Sequence, residues 1–261
     1  YLHVTYFNLE IERFSYNSLF IRDLRRSGNR LTMRFIAPSV VPGILLGIHF
    51  ISWIFGARMA PAANSTLIVN LIPVVMPFYV YMLYKERISS GELVGTAIAI
   101  GGVIILAASD FSFDRSTFLG DIVCFLSMLF YALYTALARR NSKGRSLWLY
   151  IVPLYLVGGL FCLIVALPFA SPFTHYTKVD ILMVLGLALI PTILGHTILN
   201  RSMLVLPAQT VSLINILQFV FAGVLAYFIF GELPSVSFYI ATVLVIAGAV
   251  IVILFQRKKT P

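Results

Sequence analysis

The sequence predicts an all-α integral membrane protein, a polytopic helical bundle with an inverted internal repeat, and three observations carry that prediction. Hydrophobic residues make up 60% of the chain and charged residues only 11%, whereas a soluble domain is about a quarter charged. The apolar residues gather into eight segments of membrane-spanning length. Two stretches of the chain also repeat each other in opposite orientations.

The composition argument comes first because it needs no motif. A soluble chain of 261 residues would need more polar side chains to cover its surface than this one holds, so much of its surface must face lipid. The net charge of +9 does not mark a nucleic-acid binder. Its basic residues sit in short clusters between long apolar runs, as at the cytoplasmic ends of membrane helices. Cys124 and Cys162 both lie inside apolar runs, without metal-ligand spacing, and read as packing residues.

A spanning helix needs roughly 20 apolar residues. Eight segments qualify, at 36–57, 61–84, 92–109, 118–138, 147–170, 180–200, 207–230 and 234–255. The short connections make neighbours antiparallel. Residues 1–34 carry charges too closely spaced for a span, and Ile11, Phe14 and Leu19 suit one face of a short interfacial helix. The chain opens on Tyr1 without a methionine and is read as a fragment or processed product.

Alternating spans place fifteen basic residues on one side. They are Arg22, Arg25, Arg26, Arg30, Arg34, Lys85, Arg87, Arg139, Arg140, Lys143, Arg145, Arg201, Arg257, Lys258 and Lys259. The opposite side receives three, Arg58, Arg115 and Lys178. This bias predicts a cytoplasmic C-terminus, and a bacterial inner membrane is the expected location.

The repeat emerges on shifting the chain by 146 residues, which sets 58–106 against 204–252 without gaps and matches 13 of 49 positions. Leucine and isoleucine identities are cheap in apolar segments. More telling are Pro61 with Pro207 and Glu86 with Glu232, each pair keeping the same separation within its half. Glu86 falls on the basic side and Glu232 on the other, so the halves enter the membrane in opposite senses. An inverted repeat permits two mirror-related states around a site near the midplane.

The pattern Pro61-Ala62, a helix ending Tyr84-Lys85-Glu86-Arg87, then Gly95 and Gly101-Gly102 is echoed by Pro207-Ala208, Phe230-Gly231-Glu232 and Gly248. This doubled arrangement resembles the EamA-type transporters of the drug/metabolite transporter superfamily over about residues 35–256. The resemblance implies ten helices in two inverted five-helix halves that move small metabolites. On that pattern the eight spans are the third to the tenth, and the chain lacks the N-terminal one or two helices. Residues 1–34 are then a polar or amphipathic remnant of the second family helix, 35–110 a truncated first repeat and 117–256 the second.

Polar side chains inside a bilayer are costly and face a cavity or a partner helix. The candidate solute-binding residues are therefore His49 and Trp53 on the first span, Asn64 and Asn70 on the second, and Tyr131 and Tyr134 on the fourth. His196 follows on the sixth, and Asn215 and Gln218 on the seventh. Interhelical hydrogen bonding is the plainer use of the same residues. His49 and His196 are the intramembrane groups able to titrate near neutral pH. Glu86 and Glu232 read as caps of the following helices, and Pro61 and Pro207 as first-turn prolines. Gly91 and Gly95 have the spacing that seats a neighbouring helix, and Gly101-Gly102 and Gly158-Gly159 read as close-packing devices.

The function expected is movement of a small metabolite or drug-like solute by alternating access. The alternative is a truncated, non-transporting paralogue or scaffold. No nucleophile triad, metal-ligand cluster or nucleotide motif occurs in the sequence, so neither an enzyme nor a cofactor is expected. The expected partners are a small-molecule solute, the lipid bilayer and optionally a second copy in a homodimer, with no nucleic acid.

Overall fold

A computed structural model describes residues 33–60, 65, 68–108, 115–142, 146–169, 177–231 and 233–255. The expectations for residues 1–32, Pro61, Asn64 and Glu232 fall outside them.

The described residues form helices α1 (Met33–Met59), α2 (Ile72–Tyr84), α3 (Ser90–Ala108), α4 (Arg115–Ser142), α5 (Leu147–Ala166), α6 (Lys178–Leu187), α7 (His196–Val205), α8 (Ala208–Ile216), α9 (Gln218–Phe230) and α10 (Val236–Phe255). Ala188–Gly195, between α6 and α7, is π-helical, so Lys178–Val205 runs as one span. Five helices are long and apolar enough to cross a membrane, and Ile68–Tyr84 and Ser90–Ile105 are shorter apolar helices. This is the polytopic helical bundle that the composition requires. The α4 span lies at its centre: 56% of its most apolar stretch is buried inside the protein, against 6% for Lys178–Val205.

The repeat is visible in backbone detail. The helix of the second span is interrupted at Leu71, whose N–H donates to Ile68 O at 3.1 Å while Val74 N–H donates to Leu71 O at 2.9 Å. The seventh span is interrupted at Leu217, the equivalent position. There the N–H donates to Ile214 O at 3.0 Å, and Val220 N–H donates to Leu217 O at 3.0 Å. Pro73 accounts for the first interruption, because it has no N–H to give. The second has Phe219 in that place, so the break persists without a proline.

Both helices then end alike. Lys85 (φ 57°) and Gly231 (φ 69°), again equivalent, are left-handed C-caps, and their N–H groups donate to Tyr81 O and Tyr227 O. Both following helices start on an equivalent serine, Ser89 accepting from Glu92 N–H and Ser235 from Phe238 N–H. Gly95 meets Gly248 and Gly102 meets Ala241, which sets the equivalent helices α3 and α10 antiparallel, so the two halves run in opposite directions.

The halves meet at two kinds of surface. Along α3 and α10 the backbones touch: a Cβ on Gly95 would stand 2.6 Å from Gly248 O, and one on Gly102 would stand 3.0 Å from Ala241 O. The 146-residue shift converts the first contact into the second, so this seam is a pseudo-two-fold interface. Gly91 packs on Phe255, so the expected helix seat is filled by α10. Gly101 and Gly159, expected to serve close packing, would meet nothing within 4 Å; only Gly102 and Gly158 approach a neighbour. A pair of glycines spaced by one residue necessarily faces two sides of a helix.

The second surface is a core of Leu46, Met76, Val80, Met128, Tyr134, Tyr150, Leu154, Met203 and Val211 among others, which joins α1, α2, α4, α5, α7 and α8. Proline shapes it. Pro42 leaves Pro38 O without its helical donor, and Asn141 Nδ2 supplies one at 2.7 Å. Pro77 does the same to Pro73 O, which Gln209 Nε2 meets at 3.0 Å. Pro191 frees Leu187 O, which Thr192 Oγ1 meets at 3.0 Å. In a bilayer a freed carbonyl has no water to turn to, so side chains take the place.

Candidate functional site

The polar residues of α1, α4 and α7 converge midway along the bundle. On α4, Ser127, Tyr131 and Tyr134 share one face because they lie four and three residues apart. His49 Nδ1 on α1 is 2.8 Å from Ser127 Oγ, and Ser127 Oγ donates to His49 O at 2.9 Å. The imidazole stacks on Tyr131, with ring centres 4.6 Å apart and planes within 18°, and lies nearly parallel to Trp53 at 6.4 Å. Trp53 is 40% exposed and forms the rim of the cluster, whereas His49 and Tyr134 are buried.

From α7, His196 sits against Tyr131 and Tyr134 with ring centres 5.7 and 6.0 Å away. Its Nδ1 is 3.4 Å from the Tyr134 hydroxyl. Asn200 Nδ2 donates to that hydroxyl and to His196 O. Tyr155 of α5 closes the side, its hydroxyl 3.3 Å from Thr197 Oγ1. The π-helical turn before His196 carries Pro191 and sets the register of this face; such turns favour functional sites. Phe50 and His196, with ring centres 5.6 Å apart, occupy equivalent positions of the two halves, so the pseudo-two-fold axis passes between them.

The candidates therefore fall into two groups. His49, Trp53, Tyr131, Tyr134 and His196 form one aromatic cluster, and Asn215 approaches the Tyr131 hydroxyl at its edge. Asn70 and Gln218 form the other, where Gln218 Nε2 donates to Asn70 Oδ1 at 2.7 Å and so ties the two helix interruptions together. The candidates named from the sequence do not include Ser127, Tyr155, Thr197 or Asn200. Asn200 is 3% exposed. Its spacing of four from His196 and that of Ser127 from Tyr131 were the available signals. Gln209, also missed, bridges three helices through Pro73 O and Thr96 Oγ1.

Glu86 does not have the capping role expected of it. α3 is capped by Ser89 and Glu92, with Ser89 N–H donating to Glu92 Oε2 at 2.6 Å and Glu92 N–H to Ser89 Oγ at 3.2 Å. Glu86 stands four residues before the helix and receives Arg139 in a bidentate pair. Pro207 is the N-cap of α8 rather than its first helical residue.

A helical bundle with an inverted repeat, paired helix interruptions and a polar aromatic cluster on the pseudo-axis defines a membrane transporter. A profile of the EamA-like transporter family matches residues 17–108 and again 118–254. The chain belongs to the EamA-like transporter family and is an integral membrane transporter of small metabolites. It is similar to an S-adenosylmethionine uptake transporter of Rickettsia bellii (strain RML369-C), 22% identical over 97% of this chain and 85% of the relative. A protein of the same description from Rickettsia felis (strain ATCC VR-1525 / URRWXCal2) is also 22% identical, over 97% of this chain and 84% of its own. A solved crystal structure superposes with TM-score 0.73 at 19% identity, covering 91% of this chain and 83% of the other, which supports the fold. Nothing in these likenesses favours the non-transporting alternative.

Proposed function

We propose that the chain carries its solute by alternating access between two inverted halves, 35–110 and 117–256, around the cluster of His49, Trp53, Tyr131, Tyr134 and His196. Asn64, Asn70, Asn215 and Gln218 supply further hydrogen bonds to the solute, and no catalytic step is involved. The observation that carries this reading is the coincidence of the cluster with the pseudo-two-fold axis, since a site on the axis is shared equally by both mirror-related states.

The chemistry of the cluster suits a solute with a flat heteroaromatic ring and a cationic centre. Ring faces stack on a base, and their negative quadrupole attracts an onium group. The two similar rickettsial proteins are named for S-adenosylmethionine, which has both parts, and it is the first solute to test. The basic residues support a cytoplasmic C-terminus, and the bacterial source of the two similar proteins supports a bacterial inner membrane.

Sealed vesicles containing the chain should accumulate labelled S-adenosylmethionine, and amino acids, nucleosides and amphiphilic cations should be tested as competitors. No movement of any of these above empty vesicles would overturn the proposal.

A further inference from the structure

At the basic end of the bundle, the last turn of α2 meets the last turns of α4 through a group of polar contacts. Arg139 reaches Glu86 at 3.1 Å and 3.2 Å, with the arginine side chain 10% exposed and the glutamate 40%. The guanidinium also lies over the Tyr84 ring, 4.8 Å from its centre, and the Tyr84 hydroxyl donates to Ala136 O. Beneath this layer lie Val80, Met76, Tyr150 and the other buried residues of the core, and deeper still the aromatic cluster.

We propose that Glu86, Arg139 and Tyr84 are the latch of a gate at the basic end, which closes the solute pathway on that side and parts when α2 swings. This rests on the alternating-access reading. Three features carry it. First, the pair joins elements of different halves, Glu86 in the first and Arg139 in the second. Second, α2 has a place to bend: its interruption at Leu71 separates Ile72–Tyr84 from the residues before it, and interrupted elements are where hinge motions concentrate.

Third, the fastening has the chemistry of something that opens to water. When an ion pair separates into water, both ions gain hydration, whereas parted apolar surfaces lose. A permanent seam would be held better by packing, as α3 and α10 are. The repeat adds an expectation from sequence: Glu232, the equivalent of Glu86, falls at the opposite end of the bundle.

Ala132, on α4 about 10 Å inside Arg139 by helical rise, is fully buried and reports on the gate. In a Cys124→Ala/Cys162→Ala background, Ala132→Cys is exposed to a charged, membrane-impermeant methanethiosulfonate applied to either face of sealed, orientation-sorted vesicles. Glu86→Gln and Arg139→Gln should each speed labelling from the basic face about tenfold, the population change that about 1.4 kcal/mol produces. The double reversal Glu86→Arg/Arg139→Glu should bring it back. Tyr84→Phe, which keeps the ring on Arg139 and loses the bond to Ala136, should give a smaller rise from the same face.

Unchanged labelling in these variants, or an equal rise from both faces, overturns the latch. If the charge variants do not reach the membrane, Tyr84→Phe decides alone by the same two outcomes. The assay uses no solute, so a chain that latches in this way but moves nothing would sink the transport reading and leave the latch standing.

Discussion

The α3–α10 seam and the α1–α4–α7 cluster both join the two halves, yet they are built from opposite materials. The seam is built around small residues, Gly95, Ala99, Gly102, Ala241 and Gly248, with backbones in touch, so that a Cβ added at Gly95 or Gly248 strikes a main chain. The cluster consists of large rings and polar side chains held by hydrogen bonds, with Trp53 at its rim and Asn200 buried within it. In lipid, apolar association between helices relies on close packing and gives way steeply when packing is spoiled. A hydrogen bond between side chains is worth far less and re-forms with another partner. The difference separates what holds the machine together from what works inside it.

Substitutions should break the comparison in that order. The largest effect is expected for Gly248→Leu. Its Cβ alone would stand 2.4 Å from Gly95 O, and overpacking of this kind costs about 3 kcal/mol, to be read as a lower unfolding temperature in detergent with transport lost alongside. Tyr134→Phe removes the hydroxyl that Asn200 donates to and should cost about 1–2 kcal/mol by the same melting assay, with transport weakened in a folded protein. Trp53→Ala and Gln218→Ala should shift the relative uptake of competing solutes about tenfold, the effect of about 1.4 kcal/mol of binding; melting changes little for Trp53→Ala and falls modestly for Gln218→Ala, which loses the bond to Asn70. If both leave uptake untouched, the cluster and the amide pair are not where the solute binds.

The smallest effect concerns the paired caps. Lys85 adopts the left-handed conformation that Gly231 takes at the equivalent place, and a residue with a Cβ is strained there by about 1 kcal/mol. Lys85→Gly should raise stability by about 0.5 kcal/mol after the glycine's own entropy is counted. By the same balance Gly231→Lys should lower it by about 0.5 kcal/mol. Equal and opposite changes in melting temperature would show the two caps to be mechanically alike.

Much of this was legible in the sequence because lipid imposes a strict code. Span positions follow from apolar length, and the inverted sense follows from counting spans between Glu86 and Glu232. The seam was half legible: Gly91 and Gly95 announced a helix seat, but nothing in the sequence names α10 as its occupant. The partners of the site were the least legible. Asn200 and Ser127 carry ordinary helical spacing, and their burial depends on which helices surround them, a property of the whole bundle. The role of Glu86 was misjudged for a local reason. Ser89 and Glu92 offered a complete cap three residues further on, which released Glu86 to meet Arg139.

Phe50 and His196 meet across the axis that relates the halves, and this has a bearing on origin. A residue on a two-fold axis faces its own copy. Two identical, unfused half-proteins inserted in opposite directions would therefore present the same side chain twice at this point, either two phenyl rings or two imidazoles. An unlike pair becomes available only once the two copies have separate coding sequences and each can mutate by itself. The His–Phe pairing thus marks divergence between the two copies, placed where a single substitution makes one direction across the membrane chemically different from the other.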